Sequence, residues 1–235
     1  MYIGEHTSRQ YDAELESLRI RVLQMGELVG KQFRLAIEAL FRGDLELANS
    51  VIEDDHRVNA LEVAIDESCC RIIVRRQPTA IDLRMVMMAV KTITDLERIG
   101  DEAKNIAVMA RRLLQKKNLT LPRFDKIQYL ANLAQDMLRK SLELVAILDI
   151  SDVPLVVRQD DQVDEEFRTI IRYLVTFMME DPRSITNALE ILFVAKSIER
   201  IGDHAKNMSE YVVYLVKGRD VRHTTAVEIE REVNK

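Results

Sequence analysis

The sequence predicts an all-α fold of two tandem three-helix bundles, six long antiparallel helices related by internal duplication. Three observations carry that prediction. Seven Gly and four Pro in 235 residues are too few for the many turns of an all-β fold. Apolar residues recur in steps of three and four through most of the chain, the period of an amphipathic helix. One segment occurs twice: DLERIGDEAKNI at 95–106 and SIERIGDHAKNM at 197–208, offset by 102 positions.

Residues 1–10 are polar and mixed, an arm ahead of the fold. From Tyr11 the series Leu15, Leu18, Val22, Met25, Val29, Phe33, Ala36, Leu40 defines α1, ending near Gly43. Gly26 and Gly30 inside it each cost about 1 kcal/mol against Ala, which points to close helix–helix approach. Helix α2 starts around 44 and ends in RRQPT at 75–79, where Pro78 disfavours helix at Gln77. Thr79 with Asp82 resembles a capping box, opening α3 at about 80–116. Arg111, Arg112, Lys116 and Lys117 close it with the positive charge suited to a helix C-terminus.

The stretch NLTLPRF, 118–124, is the linker between a first bundle at 11–117 and a second at 125–218. In the second bundle, Ile127 to Val145 form α4. Helix α5 follows a cap at Ser151 or Asp152, with Pro154 in its first turn, and runs up to EDPRS at 180–184. Helix α6 spans about 182–217, with Asp181 as N-cap and Pro182 at its first position. The remainder, 219–235, is a polar tail expected to fray. The copies align beyond the motif: Asp44 with Asp149, Asp55 with Asp160 and Val58 with Val163, all at 105.

Within the motif, Glu97, Asp101 and Asn105 are spaced i, i+4, i+8, and Glu199, Asp203 and Asn207 repeat the row. Such spacing puts three oxygen-bearing side chains on one helix face. At about 100° per residue the row flanks the apolar stripe and faces outward. Asp55 and Asn59 on α2, and Asp160 and Asp164 on α5, can meet those rows if neighbouring helices pack antiparallel. Clustered carboxylates repel unless neutralised, so the ten residues are candidate ligands for a cation. Their oxygens suit Mg²⁺, Mn²⁺, Ca²⁺ or iron. Zinc (Zn²⁺) enters only as a carboxylate-held ion, because no Cys lies near and His204 occurs in one copy. The competing reading is ion pairing with Arg98, Lys104, Arg200 and Lys206. Glu62 and Asp66 share the spacing, yet their counterparts are Phe167 and Ile171, so they are set aside. Gly100 and Gly202 sit mid-helix at the same motif position and imply close approach by a neighbouring helix or a ligand.

Charge and composition exclude several classes. Thirty-four basic residues against 39 acidic leave no basic footprint, so nucleic acid is not expected. Cys69 and Cys70 are adjacent and form no disulfide framework, which fits a reducing compartment. No apolar run reaches membrane-spanning length and the start lacks a signal-peptide core, so a cytoplasmic location is expected. No nucleophile–base pair, phosphate loop or dinucleotide motif is present, and the chain is expected not to be an enzyme. A metal-dependent phosphohydrolase or oxidase remains the alternative. The four histidines read as surface residues. Arg75, Arg76 and Arg84 near Pro78 read as helix-end charges, though they could favour an anion.

The paired ERIGD segments, QPTAIDLR leading into α3, VAIDESC in α2 and FMMEDPRSI before α6 resemble the PhoU family across about residues 8–222. The resemblance implies two three-helix bundles with pseudo-twofold symmetry, and metal clusters on bundle surfaces held by E/D-x-x-x-D motifs. Asn59 replaces the second acid in α2, which weakens the first site relative to Asp160 and Asp164. It also implies a homodimer that reaches the membrane only through partners. Those partners would be the ATPase subunit of the phosphate ABC transporter and a membrane-bound sensor histidine kinase. Kinase output would be repressed when phosphate is plentiful.

Overall fold

The structure, a computed structural model, describes residues 9–115, 125–222 and 224–233. The expected arm and the linker at 118–124 lie outside the described residues, except for Arg9 and Gln10. The helices are α1 Arg9–Arg42, α2 Leu45–Arg76, α3 Ala80–Leu114, α4 Asp125–Ile147, α5 Val153–Glu180, α6 Ile185–Lys217 and α7 Ala226–Val233. A 3₁₀ turn, Pro182–Ser184, precedes α6. The fold is all-α.

Local chemistry sets most boundaries. Asp44 accepts from the Leu47 N–H at 2.9 Å and caps α2. Gln77 ends it in the left-handed region, ahead of Pro78. Three expected caps differ. Thr79 makes no side-chain cap bond; Asp82 is buried beside Tyr11 of α1, where burial and the Asp82 carboxylate raise the phenol to about 12. Asp152 does not bond to the first turn of α5, while Asp149 accepts from both Ser151 N and Oγ. Asp181 does cap, accepting from Arg183 N, but the chain passes through the 3₁₀ turn before α6 begins at 185.

The tail is expected to fray, yet its residues Ala226–Val233 form a helix. Thr225 and Glu228 form a reciprocal capping box, Glu228 N–H to Thr225 Oγ1 at 3.3 Å and Thr225 N–H to Glu228 Oε2 at 2.8 Å. The α7 helix it starts packs on α5, burying Ile229 completely. An Arg158–Glu230 ion pair ties the two helices together.

Helices α1–α3 pack together, as do α4–α6, and α3 lies against α6. Arg84 Nε donates to Leu215 O at 3.1 Å, Asp95 meets His204 at 2.7 Å, Glu102 meets Arg200 at 2.5 Å, and Arg112 approaches Glu190 at 3.7 Å. The partner's number falls as the first rises, so the two helices run antiparallel. Ile99 and Ile201, equivalent motif positions, lie at the centre of this seam and are fully buried. The two copies of the motif therefore straddle the pseudo-twofold axis. One continuous apolar cluster runs from Tyr11 to Ile229 through both bundles. A Cβ on Gly26 would fall 2.3 Å from Leu142 Cδ2 of α4, so this glycine admits the second bundle. Gly30 has more room.

Candidate functional site: two acidic seams

In each half the motif meets its neighbour along a seam, α2 with α3 and α5 with α6. The motif lysine makes the crossing. Lys104 Nζ lies 2.7 Å from Asp55 Oδ2, and Lys206 Nζ lies 2.6 Å from Asp160 Oδ2. Both aspartates are buried, at 4% and 6% exposure, and Glu199 is buried at 8%. One member of the row expected to face outward is corrected here: Glu199 is buried. Glu97, Asp101, Asp164 and Asp203 are half-buried, and Asn59 is exposed.

The second seam gathers four acids. Burial, then Glu199, Asp160 and Asp164, raise Asp203 to about 6. Burial raises Asp160 despite Lys206. Lys196 reaches both Glu199 oxygens, at 2.5 and 2.7 Å, while resting over the Phe167 ring. Arg168 meets Asp164 at 3.2 Å. The first seam differs. Burial and Asp101 raise Glu97, and Glu62 adds to that field. Burial also raises Glu62, with Asp66 and Asp101 contributing and Arg98 opposing. Glu62, set aside on sequence, belongs to this face. Phe167 takes its place in the other half.

The asparagines leave the row. Asn105 Nδ2 donates to Glu102 at 3.4 Å and Asn207 Nδ2 to Asp95 at 3.3 Å, both turned toward the α3/α6 seam. His204 is not a free surface residue: its Nδ1 meets buried Asp95 across the bundles. His56 is exposed; His6 and His223 lie outside the described residues. Sequence reasoning also missed the charges of the central seam, Asp95 and Glu102, because Arg200 crosses to Glu102 instead of serving its own row.

Does this chemistry fit a cation? Asp55 Oδ1 and Asp160 Oδ1 are buried with no hydrogen-bond partner, at equivalent positions of both halves. An orphaned carboxylate oxygen beside raised acids is a site of unmet positive charge. Lysines already hold the other oxygens. Among the described residues, no three His, Cys, Asp or Glu side chains come close enough to share one ion. The four carboxylates of the second seam are donors of the kind a hard cation takes, but as placed they do not surround a common point. The first seam offers exposed Asn59 where the second has Asp164.

Gly100 and Gly202 lie close against the neighbouring helix, Gly100 the more tightly. A Cβ on Gly100 would lie 3.2 Å from Val58 Cγ1, and one on Gly202 would lie 3.4 Å from Val163 Cγ1. Equivalent valines on α2 and α5 fill the space, and no ligand is needed there. Cys69 is buried and its thiol is pushed up to about 12 by that burial, so it is unreactive; Cys70 is exposed.

A family model described as the PhoU domain matches residues 22–110 and again 127–212, once in each half. The phosphate-specific transport system accessory protein PhoU of Serratia marcescens is 46% identical over 230 residues, 97% of this chain and 93% of that protein. The protein of the same name from Escherichia coli (strain K12) is 44% identical over 229 residues, 97% of this chain and 94% of its own. The crystal structure of PhoU from Pseudomonas aeruginosa superposes with a TM-score of 0.86 at 42% identity, covering 89% of this chain and all of that one. The phosphate transport system regulatory protein PhoU from Streptococcus pneumoniae gives 0.83 at 29% identity, covering 90% and 99%.

Proposed function

The chain belongs to the PhoU family, and from that premise we propose that it is an accessory regulator of phosphate transport and signalling that works by binding partners instead of by catalysis. The observation that carries this reading is similarity along 97% of the chain to proteins named for that accessory role. The proposed partners are the ATPase subunit of a phosphate ABC transporter and a sensor histidine kinase held silent when phosphate is plentiful. A homodimer is the proposed assembly. No helix among the described residues is long and apolar enough to cross a membrane, and contact with membranes is proposed to run through the partners. The α2/α3 and α5/α6 faces are the proposed docking surfaces. Retention of tagged protein on membranes carrying kinase and transporter, at high and at low phosphate, tests the reading. Equal or absent retention under both conditions would sink it.

The second seam is also proposed to hold a divalent or iron cation on Asp160, Asp164, Glu199 and Asp203, with weaker binding at Asp55, Glu97 and Asp101. Bound there, the ion would supply charge neutralisation and a fixed shape to the face. The orphaned Asp160 oxygen and the raised Asp203 support this. Elemental mass spectrometry of protein purified without a chelating column decides it. Metal near zero in wild type, unchanged by Asp203→Ala, removes the cation and leaves the regulator standing.

A further inference from the structure

Away from the acidic seams, a cleft of about 340 Å³ opens between the N-terminal half of α1 and the C-terminal part of α2. That volume lies within the usual range of small-molecule sites, roughly 300–1,000 Å³. One carboxylate lines it, Glu14, and Arg76 already neutralises it through two hydrogen bonds of 2.9 and 2.8 Å. Three further arginines line the cleft: Arg21, Arg71 and Arg75. Among the described residues none of them meets a carboxylate; Asp66 and Glu67, the nearest acids along α2, stay beyond ion-pair distance. Instead Arg21 from α1 and Arg71 from α2 both donate to Ser68 Oγ, at 2.8 and 3.3 Å. The serine proton is spent on the Ala64 carbonyl at 2.8 Å. Two guanidiniums from different helices thus share one neutral acceptor, and among the described residues neither forms an ion pair, an arrangement that an oxyanion would complete by accepting from both forks.

A helix-end explanation covers only part of this. The negative end of the α2 dipole favours Arg71, Arg75 and Arg76. It does not account for Arg21, which lies well inside α1. The duplication offers a control. At the 105-residue offset, Ser68, Arg71 and Arg75 become Tyr173, Thr176 and Glu180. The bundle architecture therefore does not require the cluster, and only the first half builds it. Buried Leu18 and Ile72 add an apolar wall beside the arginines.

We propose that this cleft binds a soluble phosphomonoester. Arg21, Arg71 and Arg75 grip its phosphate, Ser17 supplies a hydroxyl, and a small organic body rests on Leu18 and Ile72. The inference is independent of the partner contacts above. Titration calorimetry on the full-length protein tests it with glycerol 3-phosphate, inorganic phosphate and phosphatidylglycerol-containing vesicles as probes. Glycerol 3-phosphate is expected to bind saturably, one per chain and more tightly than inorganic phosphate. Arg21→Gln and Arg71→Gln should each weaken it at least tenfold, while exposed Arg42→Gln leaves it unchanged. Arg21→Lys, which keeps charge but loses the fork, should fall between and covers the case of a glutamine variant that does not fold. No saturable binding in wild type, or equal binding in the arginine variants, overturns the site. Inorganic phosphate binding as tightly as the ester overturns the ester assignment. Vesicle binding without binding of either soluble anion overturns the choice of a soluble ligand.

Discussion

Replacing Gln32 with Met should make the protein more stable. Gln32 lies on the core side of α1 at 4% exposure, and neither its amide nitrogen nor its amide oxygen has a partner. Its oxygen would sit 3.7 Å from a Cβ placed on Gly100. The second half contains the same site with a different residue: Met137 is fully buried, its sulfur 3.6 Å from a Cβ placed on Gly202. Burying an amide without hydrogen bonds costs about 1–3 kcal/mol. Met has nearly the same length and flexes into irregular space, so the exchange removes that cost without opening a cavity. A gain of about 1–3 kcal/mol follows, or roughly 2–4 °C in melting temperature per kcal/mol for a chain of this size. Urea titration followed by circular dichroism reads it, with an unchanged m-value showing that the same transition is measured. Unchanged or lower stability at constant m would refute the reasoning, because it would mean the amide is satisfied. Thr92 provides an independent check. Its hydroxyl is buried and unpartnered, its equivalent is fully buried Val194, and Thr92→Val should stabilise by about 1 kcal/mol.

Three further outcomes follow from named contacts. Gly202→Ala should stabilise by about 1 kcal/mol, because its Cβ finds ordinary contact with Val163 while helix propensity improves. Gly100→Ala should gain less, since Val58 must yield; equal gains in thermal melts would contradict that packing. Glu210 is raised from 4.5 to about 7 by burial, with Asp160 and Asp220 adding and Lys206 and Arg222 opposing. The folded state therefore holds a proton that the unfolded chain has lost between those values. This contribution is full below about pH 4.5 and disappears as pH rises through about 7. Melting temperature should thus fall from pH 5.5 to 8 more steeply in wild type than in Glu210→Gln; identical slopes would exclude Glu210 as the cause. Lys206→Met leaves buried Asp160 without its cation and should cost about 2–4 kcal/mol, moderated because the lysine head is partly solvated. A loss below about 0.5 kcal/mol by denaturant titration would mean that Asp160 is solvated.

How much of this could be read from the sequence depended on whether the answer lay within one helix or between two. The six long helices and the duplication are properties of local spacing, and spacing was enough. The acid row shows where spacing ends. At 100° per residue, i+4 stands about 40° from i, so Asp101 stays beside Glu97; i+8 stands about 80° away. That drift carries Asn105 and Asn207 off the α2 and α5 seams and onto the seam between bundles. A helical wheel gives the angle at which Glu199 leaves α6, but not the α5 surface that covers it. The same gap hid the lysine bridges. Asp55 and Asp160 repeat at an offset of 105, and Lys104 and Lys206 at 102. Two duplicated, opposite charges on adjacent helices imply a duplicated contact once antiparallel packing is assumed, so that signal was available. Glu62 carried no such signal, because Phe167 replaces it. Its place in the first acidic face follows only from the packing of α2 on α3, and it makes the two faces chemically different. One gathers Glu62, Glu97 and Asp101 around Arg98, whereas the other lays Lys196 between Phe167 and Glu199. Partners or ions that read these faces therefore meet two surfaces, not one surface twice.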